Sequence, residues 1–336
     1  MATLAYIGLG SNLGDRRAIL DAAAQSLAQL PGTRLASLSR YHETTPVGGP
    51  SGQGRFLNAA AAVETTLDPI PLLAGLQAIE ANAGRIRVER WGERTLDLDL
   101  LLFGSMILDT PTLSIPHPWM AVRRFVLAPL AEIAPDGVDP VTETSIRDLL
   151  NHLDRRPSVL CLRGCWRDRL PSWTAAFESV VRTLHAHALR LEDVSASRSA
   201  SRGPEIDWRK LARLMDSRKP HGDRWIVADF APDEFADDSE TDVTGWPSWR
   251  RTAGDRASVR PTIVVRRPPT SASSPGQPGI GNGGVPTLLL ASERAEALAE
   301  TMIDACKATR MDAPNIDPPG VYPVLRYRGE DEVEIG

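Results

Sequence analysis

The stretch Arg85-Ile-Arg-Val-Glu-Arg-Trp-Gly-Glu-Arg-Thr-Leu-Asp-Leu-Asp99 contains the densest pattern of charged and apolar residues in the chain. Its end alternates leucine with aspartate and runs into further leucines, so Thr95–Phe103 is predicted to form a β-strand. Successive side chains of a strand point to opposite faces, which places the leucines on one face and both Asp97 and Asp99 on the other. We expect the leucines to enter a core and the two carboxylates to lie side by side.

The elements predicted around this strand follow a defined order. They are the strand Thr3–Gly8, the helix Asp15–Leu30, the strands Leu35–Glu43 and Phe56–Thr66, the helix Pro69–Ala83 and the strand Thr95–Phe103. Asp68 is a predicted N-cap of the second helix, because it precedes a proline at the first helical position. The order strand-helix-strand-strand-helix-strand is typical of a ferredoxin-like split βαβ arrangement. The sequence therefore predicts an α+β domain at the N-terminus.

The composition changes near residue 155, and we predict a first domain over residues 1–158, a linker over 159–172 and a second domain over 173–336. In the second domain we predict the helices Trp173–Ala188, Ile206–Met215 and Ser292–Arg310 and the strands Trp225–Phe230, Pro261–Val265 and Pro286–Leu290. This alternation is typical of a smaller α/β domain. Residues 268–284 are rich in serine, glycine and proline and are predicted to form a flexible loop.

Composition excludes several classes of protein. The 336 residues, 42% of them hydrophobic and 24% charged, fit a globular chain of about two domains. We expect a cytoplasmic protein without membrane partners, since no apolar run reaches the roughly 18 residues of a membrane span and no signal peptide pattern opens the chain. The net charge of −5 argues against nucleic acid as a partner. The three cysteines are odd in number and form no C-x-x-C motif, so they support neither a disulfide framework nor a zinc site.

Lysine is almost absent from the chain. Only Lys210, Lys219 and Lys307 occur, so no lysine completes a G-x-x-x-x-G-K-[ST] phosphate loop. Genomic composition bias is a sufficient explanation of this scarcity. Its chemical consequence is that any phosphate bound by the first 209 residues must be held by arginine, histidine, backbone N–H groups or a metal ion.

The aspartate pair and its neighbours predict a polyphosphate site. Two carboxylates so close repel each other unless a cation lies between them or one is protonated, and Mg²⁺ prefers such oxygen ligands. Four arginines precede the pair, and guanidinium groups match phosphate oxygens. They are Arg85, Arg87, Arg90 and Arg94. An exposed strand face beside a solvated arginine-rich loop, paired with Glu89 and Glu93, remains the alternative on spacing alone.

Seven segments together resemble one enzyme family, the 6-hydroxymethyl-7,8-dihydropterin pyrophosphokinases, over residues 3–155. The segments are Ala5–Gly14, Thr45–Gly48, Phe56–Ala60, Gly84–Arg87, Arg90–Gly104, Ile115–Pro118 and Arg123–Leu130. The string Arg90-Trp-Gly-Glu-Arg-Thr-Leu-Asp-Leu-Asp99 is highly specific among them. The resemblance implies a ferredoxin-like fold and Mg²⁺-dependent transfer of the β,γ-pyrophosphoryl group of ATP to the hydroxymethyl oxygen of the pterin in folate biosynthesis. AMP and the pterin diphosphate would be the products.

The resemblance also implies a role for each matching residue. Asp97 and Asp99 would bind two Mg²⁺ ions, and Arg90 and Trp91 would belong to a catalytic loop that closes over both substrates. The residues implied in ATP binding are Gln77, Glu80, Arg85, Arg87, Arg94, Leu98, His117 and Arg123, of which Arg85 and Arg94 would also be catalytic. The residues implied in pterin binding are Thr45, Pro46, Val47, Phe56, Asn58 and Phe125.

Residues 165–336 are outside this resemblance. Trp225–Phe230 and Arg260–Val265 are weakly similar to the middle strands of a deoxynucleoside kinase, although the phosphate loop of such enzymes is absent. An interaction or oligomerisation domain is the other interpretation. For the whole chain, a non-catalytic regulator that binds nucleotide or pterin is the alternative to an ATP-dependent diphosphotransferase, and protein partners cannot be named from the sequence.

Overall fold

The computed structural model describes residues 2–47, 50, 52–85, 93–154, 158–163, 171–190, 195–199, 203–206, 225–229, 263–266, 287–289, 294–309, 325–327 and 333–335. The chain divides into one unit of Met1–Leu150 with Lys307–Gly336 and a second unit of Asn151–Cys306. No helix among the described residues is long and apolar enough to cross a bilayer.

The first 154 residues contain nine strands, four α-helices and one 3₁₀ helix among the described positions. The strands are β1 Thr3–Ser11, β2 Thr33–Leu38, β3 His42–Thr44, β4 Phe56–Thr65, β5 Asp97–Phe103, β6 Leu108–Asp109, β7 Ser114–Ile115, β8 Val138–Asp139 and β9 Thr144–Ser145. The helices are α1 Arg16–Gln29, α2 Pro69–Asn82, α3 Arg124–Ile133 and α4 Ile146–Leu153, with the 3₁₀ helix at Met120–Val122.

The later elements are shorter. The strands are β10 Val159–Arg163, β11 His187–Leu189, β12 Ser195–Ser199, β13 Gly203–Ile206, β14 Ile226–Ala228, β15 Ile263–Arg266, β16 Thr287–Leu289, β17 Leu325–Tyr327 and β18 Val333–Ile335. The helices are α5 Pro171–Thr183 and α6 Ala295–Thr309.

An antiparallel sheet organises the first unit, which is therefore of the α+β class. Its strand order is β18-β17-β2-β4-β1-β5, and β3 also pairs with β4. The central strand β1 pairs with β4 along its whole length, so that Ile7 lies opposite Ala61, and pairs on its other side with β5, where Leu9 lies opposite Leu98. Both edges of β1 are thus hydrogen-bonded, which fixes its position in the sheet.

One face of this sheet is the hydrophobic core. Ile7 and Leu9 of β1 pack in one cluster with Leu20 of α1, Leu76 of α2 and Leu98 of β5. Leu96 and Leu100 are also buried, whereas Asp97 and Asp99 are half-buried on the opposite face. The alternation predicted for this strand is confirmed.

The predicted strand Leu35–Glu43 is interrupted. β2 ends at Leu38 and β3 begins at His42, because Ser39 turns its side chain back onto the neighbouring strand. The backbone N–H of Ser39 donates to the carbonyl of Ala60, and the Ser39 hydroxyl accepts from the N–H of Ala60. Both pieces still pair with β4, so the interruption bends the strand without changing the order of the sheet.

The two predicted helix starts differ in their capping. The Asp15 carboxylate accepts a hydrogen bond from the N–H of Ala18 at 3.1 Å, which caps α1. Asp68 occupies the N-cap position of α2 as predicted, but its side chain makes no capping hydrogen bond there. Pro69 follows it and lacks the N–H that would otherwise need a partner.

A parallel sheet organises the second unit. Its strand order is β11-β14-β10-β15-β16, with β10 in the middle. Residues 159–163 were expected in a linker, and the structure corrects this. Leu160 and Leu162 are fully buried, since a central parallel strand is covered on both faces and consists largely of apolar residues. The sequence Val159-Leu-Cys-Leu162 has that composition.

Three further predictions for the second unit differ from the structure or are not tested by it. The helix predicted to reach Ala188 ends at Thr183, and β11 follows a turn in which His185 has a positive φ of 47°. Ile206 ends strand β13, while the rest of the predicted helix Ile206–Met215 lies outside the described residues. The predicted flexible loop at 268–284 lies outside them as well.

Candidate functional site

The floor of the site is the face of the sheet opposite the core. Gly10 of β1 lies between Asn58 of β4 and Asp97 of β5, and Gly8 lies in register with Asp99. A Cβ atom on Gly10 would come within 3.3 Å of Oδ1 of Asn58. The central strand therefore contributes only backbone here, and the space between the amide and the carboxylates stays open.

Two arginines bind the carboxylate of Asp97. Nη1 of Arg85 lies 2.8 Å from Oδ1 of Asp97, and Arg94 pairs with its Oδ2. Arg85 also pairs with Glu80, and only 11% of the Arg85 side chain is exposed. Arg85 and Arg94 thus form one charge-assisted network with Asp97 and Glu80.

Glu80 connects helix α2 to the beginning of β5. Its carboxylate is buried and accepts a hydrogen bond at 2.7 Å from the backbone N–H of Leu98, between the two aspartates. A buried carboxylate is tolerated only when it is paired, and here Arg85 and a peptide group pair it. Glu80 therefore fixes the position of the aspartate pair relative to α2.

Asp99 faces a histidine and an arginine at longer range. Nε2 of His117 lies 3.8 Å and Nη1 of Arg123 lies 3.9 Å from Oδ2 of Asp99. Nδ1 of His117 accepts from the N–H of Trp119 at 3.2 Å, which leaves Nε2 as the protonated nitrogen of the neutral ring. Asp99 itself is more exposed than Asp97, with 37% of its side chain accessible against 18%.

Burial lowers the pKa values of both neighbours of Asp99, His117 and Arg123. Burial lowers the pKa of His117, the charge of Asp99 opposes that shift, and the charge of Arg123 adds to it. Burial also lowers the pKa of the Arg123 guanidinium, against the attraction of Asp99 and Asp97. A guanidinium stays charged in proteins, so Arg123 is a buried cation at neutral pH while His117 favours its neutral form.

The Asn12 side chain joins two loops beside the aspartates. Its Oδ1 accepts from the N–H of Arg94 at 2.7 Å, and its Nδ2 donates to Oε1 of Gln53 at 3.3 Å and to the carbonyl of Gly54 at 3.4 Å. Asn12 is buried, so these bonds are shielded from water. Its amide thus holds Arg94 in reach of Asp97.

Two cavities adjoin at this network. The larger has a volume of about 1200 Å³, and its lining combines leucines and prolines with a group of charged and polar side chains. They include Gln77, Glu80, Arg85, Glu93, Arg94, Asp97, Asp99 and His117, together with Leu98.

The smaller cavity has a volume of about 320 Å³ and a different wall. Three aromatic side chains and a buried amide dominate it. Its lining includes Thr44, Thr45, Pro46, Val47, Phe56, Asn58, Trp119, Arg123 and Phe125. Nδ2 of Asn58 donates to Oγ1 of Thr44 at 2.7 Å, which fixes the orientation of the amide.

Four residues line both cavities: Gln53, Arg94, Asp97 and Asp99. A ligand in one cavity is therefore separated from a ligand in the other only by these groups. Among the residues that the structure describes, no group of three or more His, Cys, Asp and Glu side chains could hold a metal ion.

The structure brings together most of the site residues expected from the sequence. Of the residues expected to bind ATP, the described ones line the larger cavity, except that Arg123 lines the smaller one. All six residues expected to bind pterin line the smaller cavity. Arg87, Arg90 and Trp91 lie outside the described residues.

Sequence reasoning missed Asn12, Thr44, Gln53 and Trp119. Asn12 lies within a segment that was quoted for the resemblance, Ala5–Gly14, so a signal for it was present. The other three depend on contacts between distant segments, and no local pattern indicated them.

The sequence matches the family described as 7,8-dihydro-6-hydroxymethylpterin-pyrophosphokinase over residues 6–135. A protein of Pseudomonas aeruginosa named 2-amino-4-hydroxy-6-hydroxymethyldihydropteridine pyrophosphokinase is 51% identical over 131 residues, which are 39% of this chain and 80% of that protein. A protein of the same name from Methylorubrum extorquens is 44% identical over 152 residues, 45% of this chain and 94% of the other. The matched family segment contains every described residue that lines either cavity.

Structural similarity to solved proteins is weak over the full chain. A crystal structure of an HPPK-DHPS protein in complex with substrates aligns with 48% of this chain and 50% of its own, at 14% identity and a TM-score of 0.37. A score this low carries no argument about the fold.

Proposed function

The chain belongs to the 7,8-dihydro-6-hydroxymethylpterin-pyrophosphokinase family, and we propose on this basis that its two adjoining cavities hold the two substrates of that reaction. It is an ATP-dependent diphosphotransferase of folate biosynthesis that transfers the β,γ-pyrophosphoryl group of ATP to the hydroxymethyl oxygen of 6-hydroxymethyl-7,8-dihydropterin, giving AMP and the pterin diphosphate. The observation that carries the proposal is the shared border, since Arg94, Asp97 and Asp99 line both cavities.

The larger cavity is the proposed ATP site. Its volume of about 1200 Å³ suits the larger substrate, and its arginines provide donors for phosphate oxygens. We assign Arg85, Arg94 and His117 to the phosphates, because all three lie next to an aspartate of the pair. Gln77, Glu80 and Leu98 are assigned to the rest of the nucleotide. Arg123 reaches this region from the smaller cavity.

The smaller cavity is the proposed pterin site. Flat heteroaromatic rings bind well between aromatic side chains, and Phe56 and Phe125 are assigned to the two faces of the pterin. Asn58 is assigned to the polar edge of the ring, because its Nδ2 already donates to Thr44 and its Oδ1 remains to accept from a ligand N–H. The segment 45–47, formed by Thr45, Pro46 and Val47, would complete the wall.

The aspartate pair fits Mg²⁺. Two half-buried carboxylates on one strand face, next to a cavity with arginine donors, are a suitable partial ligand set, because Mg²⁺ takes one or two carboxylates and completes its shell with phosphate oxygens and water. We propose two ions held by Asp97 and Asp99. Mg²⁺ bound there would neutralise phosphate charge and orient the substrates for in-line displacement.

The protein groups act by position and charge. Phosphoryl-type transfer has a loose transition state, so catalysis depends on holding the acceptor oxygen in line and on stabilising charge on the moving group. Arg85 and Arg94 are held by Asp97, and Glu80 and Asn12 fix the two arginines in turn. Both arginines stay beside the border when Mg²⁺ binds Asp97, where their donors can stabilise the charge that develops on the pyrophosphoryl group.

The segment between Arg85 and Glu93 is assigned to a loop that closes over the two bound substrates. Arg87 is proposed to contact ATP, and Arg90 and Trp91 are proposed to engage both substrates as the site closes. This assignment rests on the matching family motif and on the position of both ends of the segment at the larger cavity, where Arg85 and Glu93 line the wall.

We propose the ferredoxin-like split βαβ arrangement for the first unit. The four main strands support it, since β5-β1-β4-β2 is an antiparallel order in which the two helical connections join β1 to β2 and β4 to β5. The parallel strand order of the second unit supports an α/β class there.

Residues 1–158 are the proposed pyrophosphokinase domain, with residues 173–336 as a second domain. All described cavity residues lie between positions 10 and 125, which supports this division. From the C-terminus, β17 and β18 extend the same sheet beyond β2, and Lys307–Gly336 belong to the first unit. A chain of residues 1–158 should therefore melt at a lower temperature than the full chain while releasing AMP within about tenfold of its rate, or ~1.4 kcal/mol on the barrier. A larger loss of activity would contradict the division.

The activity is tested by product analysis of the full chain with ATP, Mg²⁺ and 6-hydroxymethyl-7,8-dihydropterin. We expect AMP and pterin diphosphate in equal amounts and no AMP without the pterin. Binding of both ligands without AMP would favour the non-catalytic regulator. The intact set of Asp97, Asp99, Arg85 and Arg94 argues against that alternative, because a protein that only binds has no need of it.

A further inference from the structure

The side chain of Trp119 forms a wall of the smaller cavity that no sequence motif indicated. Its backbone is fixed on both sides, since its N–H donates to Nδ1 of His117 at 3.2 Å and its carbonyl accepts from the N–H of Val122 at 3.3 Å. The following Met120 is fully buried. Trp119 itself is only half-buried and lines the cavity, so a rigid backbone presents a partly exposed indole to the proposed pterin site.

The guanidinium of Arg123 lies near two aromatic rings. Its central carbon is 5.5 Å from the centroid of the Trp119 ring and 5.7 Å from that of Phe125. Both distances are within the range of cation–π attraction, which is strongest for tryptophan and grows when the pair is shielded from water. Only 15% of the Arg123 side chain is exposed, so the two rings take part in stabilising a cation that is costly to bury.

Arg123 links the indole to the reacting end of the cavity. Its Nη1 lies 3.9 Å from Oδ2 of Asp99, one of the residues shared by the two cavities. Asn58 and Thr44 form the neutral polar part of the same cavity. Trp119 is thus connected to Asp99 through two neighbours, Arg123 under its ring and His117 at its backbone N–H.

We propose that Trp119 is an acceptor-binding residue, whose indole contacts the bound pterin near its hydroxymethyl group and positions Arg123 toward the pyrophosphoryl group. The proposal rests on the assignment of pterin to the smaller cavity. Loss of the indole should weaken pterin binding directly, because aromatic contact area is lost, and should slow transfer because Arg123 loses one of its two rings. ATP binding should depend little on Trp119, since the larger cavity does not include it among its lining residues.

The test compares Trp119→Phe with Trp119→Leu in the full chain. The first keeps an aromatic face for Arg123, whereas the second keeps apolar volume without one. Calorimetry measures the Kd of 6-hydroxymethyl-7,8-dihydropterin and of α,β-methylene-ATP separately, and steady-state assays at saturating ATP and Mg²⁺ give kcat and the KM for pterin. We expect Trp119→Leu to raise the pterin Kd about tenfold and to lower kcat, with the nucleotide Kd within about twofold. Trp119→Phe should recover most of both losses.

A control separates this role from a general effect on stability. Tyr41 also has an arginine over its ring, with the carbon of Arg17 at 5.9 Å, but it lines neither cavity. Tyr41→Leu should lower the melting temperature and leave the pterin Kd of the folded protein within about twofold of wild type. If the Trp119 variants instead lower the melting temperature and weaken both ligands in parallel, the residue is structural and the proposal is wrong.

A double-mutant cycle tests the link to Arg123. In an Arg123→Ala background, Trp119→Leu should lower kcat less than it does in the wild type, because its indirect effect has already been removed. Equal losses in both backgrounds would overturn the positioning role. A pterin Kd unchanged in Trp119→Leu would overturn the contact while leaving the pterin site itself intact. No pterin binding to the wild type would instead overturn the proposed function.

Discussion

The two cavities differ in the kinds of side chain that line them. Charged groups surround the larger one, where Glu80, Arg85 and His117 lie beside the aspartates, whereas rings and a single fixed amide dominate the smaller one. The difference matches the two substrates, since a triphosphate is recognised by charge and a pterin by shape, stacking and hydrogen bonds at its edge. The charged groups of the smaller cavity are Arg94, Asp97 and Asp99 at its border with the larger, and Arg123.

If the two cavities hold the two substrates as proposed, the chemistry takes place at their border and each substrate contacts its own wall. Substitutions should therefore fall into three classes: those at the border affect transfer itself, those in one wall affect one substrate, and those that hold a wall in place affect stability. The expected effects on activity decrease in that order.

The largest effect should come from Asp97→Asn or Asp99→Asn. Either change removes a negative charge from the border while keeping the shape of the side chain, so transfer should fall by about 10³-fold at saturating Mg²⁺. Initial rates of AMP formation and thermal melts measure the two consequences. Asp136→Asn is the matched control, because Asp136 is 84% exposed and lines neither cavity. Turnover close to normal in either border variant would contradict the metal assignment.

The closing loop should show the next largest effect. Arg90→Ala is expected to slow single-turnover transfer by about 10²-fold, because an arginine that engages the moving group acts mainly in the transition state. The Kd of the pterin, measured by calorimetry, should change much less. Arg34→Ala, at an exposed pair with Glu64, is the control. Equal losses in rate and in affinity would show that the loop supplies ordinary substrate binding.

A pair of amide substitutions separates the two walls directly. Asn58→Ala should weaken pterin binding by about tenfold, through loss of one hydrogen bond and its fixed orientation, and should leave ATP binding unchanged. Gln77→Ala should have the opposite pattern. Titration of each variant with both ligands gives the four dissociation constants. If either substitution weakened both ligands to the same degree, the walls would not be separate.

The smallest effect on activity is expected at Glu132, which anchors the wall that carries Phe125. Its carboxylate accepts from Nη2 of Arg40 at 2.8 Å and pairs with Nε2 of His42 at 3.0 Å, which joins α3 to the segment of β3. Although burial acts to raise it, hydrogen bonds from His42 and Arg40 lower the pKa of Glu132 from 4.5 to about 2. The ionised carboxylate therefore stabilises the folded state.

The direction of this pKa shift determines how the contribution of Glu132 to stability depends on pH. Because the folded-state pKa is depressed, the stabilisation is fully present above pH 4.5 and is lost as the pH falls toward about 2. Glu132→Gln should lower the free energy of unfolding by about 2 kcal/mol at pH 7, with a shrinking difference below pH 4.5, while kcat changes less than about twofold. Urea unfolding of the wild type and of Glu132→Gln between pH 7 and pH 3 measures this difference in the free energy of unfolding. A difference that stayed constant with pH would rule out the charge as its origin.

Local patterns predicted more of the site than of the fold around it. The alternation of Leu98 with Asp97 and Asp99 needs only the period of a strand, and the structure confirms it. The placement of Asn58 opposite Gly10 depends on the register of two strands that are distant in sequence, and no local rule supplies it. The same limit explains why Arg123, expected at the ATP site, was not placed at the smaller cavity.

The larger errors concern segments whose structure depends on partners elsewhere. Residues 159–163 were assigned to a linker because of the arginines and proline around them, although their apolar run is that of a strand between two parallel neighbours. The pairing of β17 with β2 joins residues nearly 300 positions apart. Contacts of this kind are decided by the packing of the whole unit rather than by the propensity of a short segment.

The glycines of β1 have a further consequence for how the site opens. Gly8 and Gly10 belong to a strand that is hydrogen-bonded on both sides, and their amides should exchange with deuterated solvent only when the whole unit unfolds. Other lining residues, such as Thr45, Val47 and Gln53, lie outside the strands and helices. Under mild denaturant the loops that line the cavities should unfold before the strands of the floor. Substrate binding should therefore slow amide exchange in these loops and leave the already slow exchange of Gly8 and Gly10 unchanged.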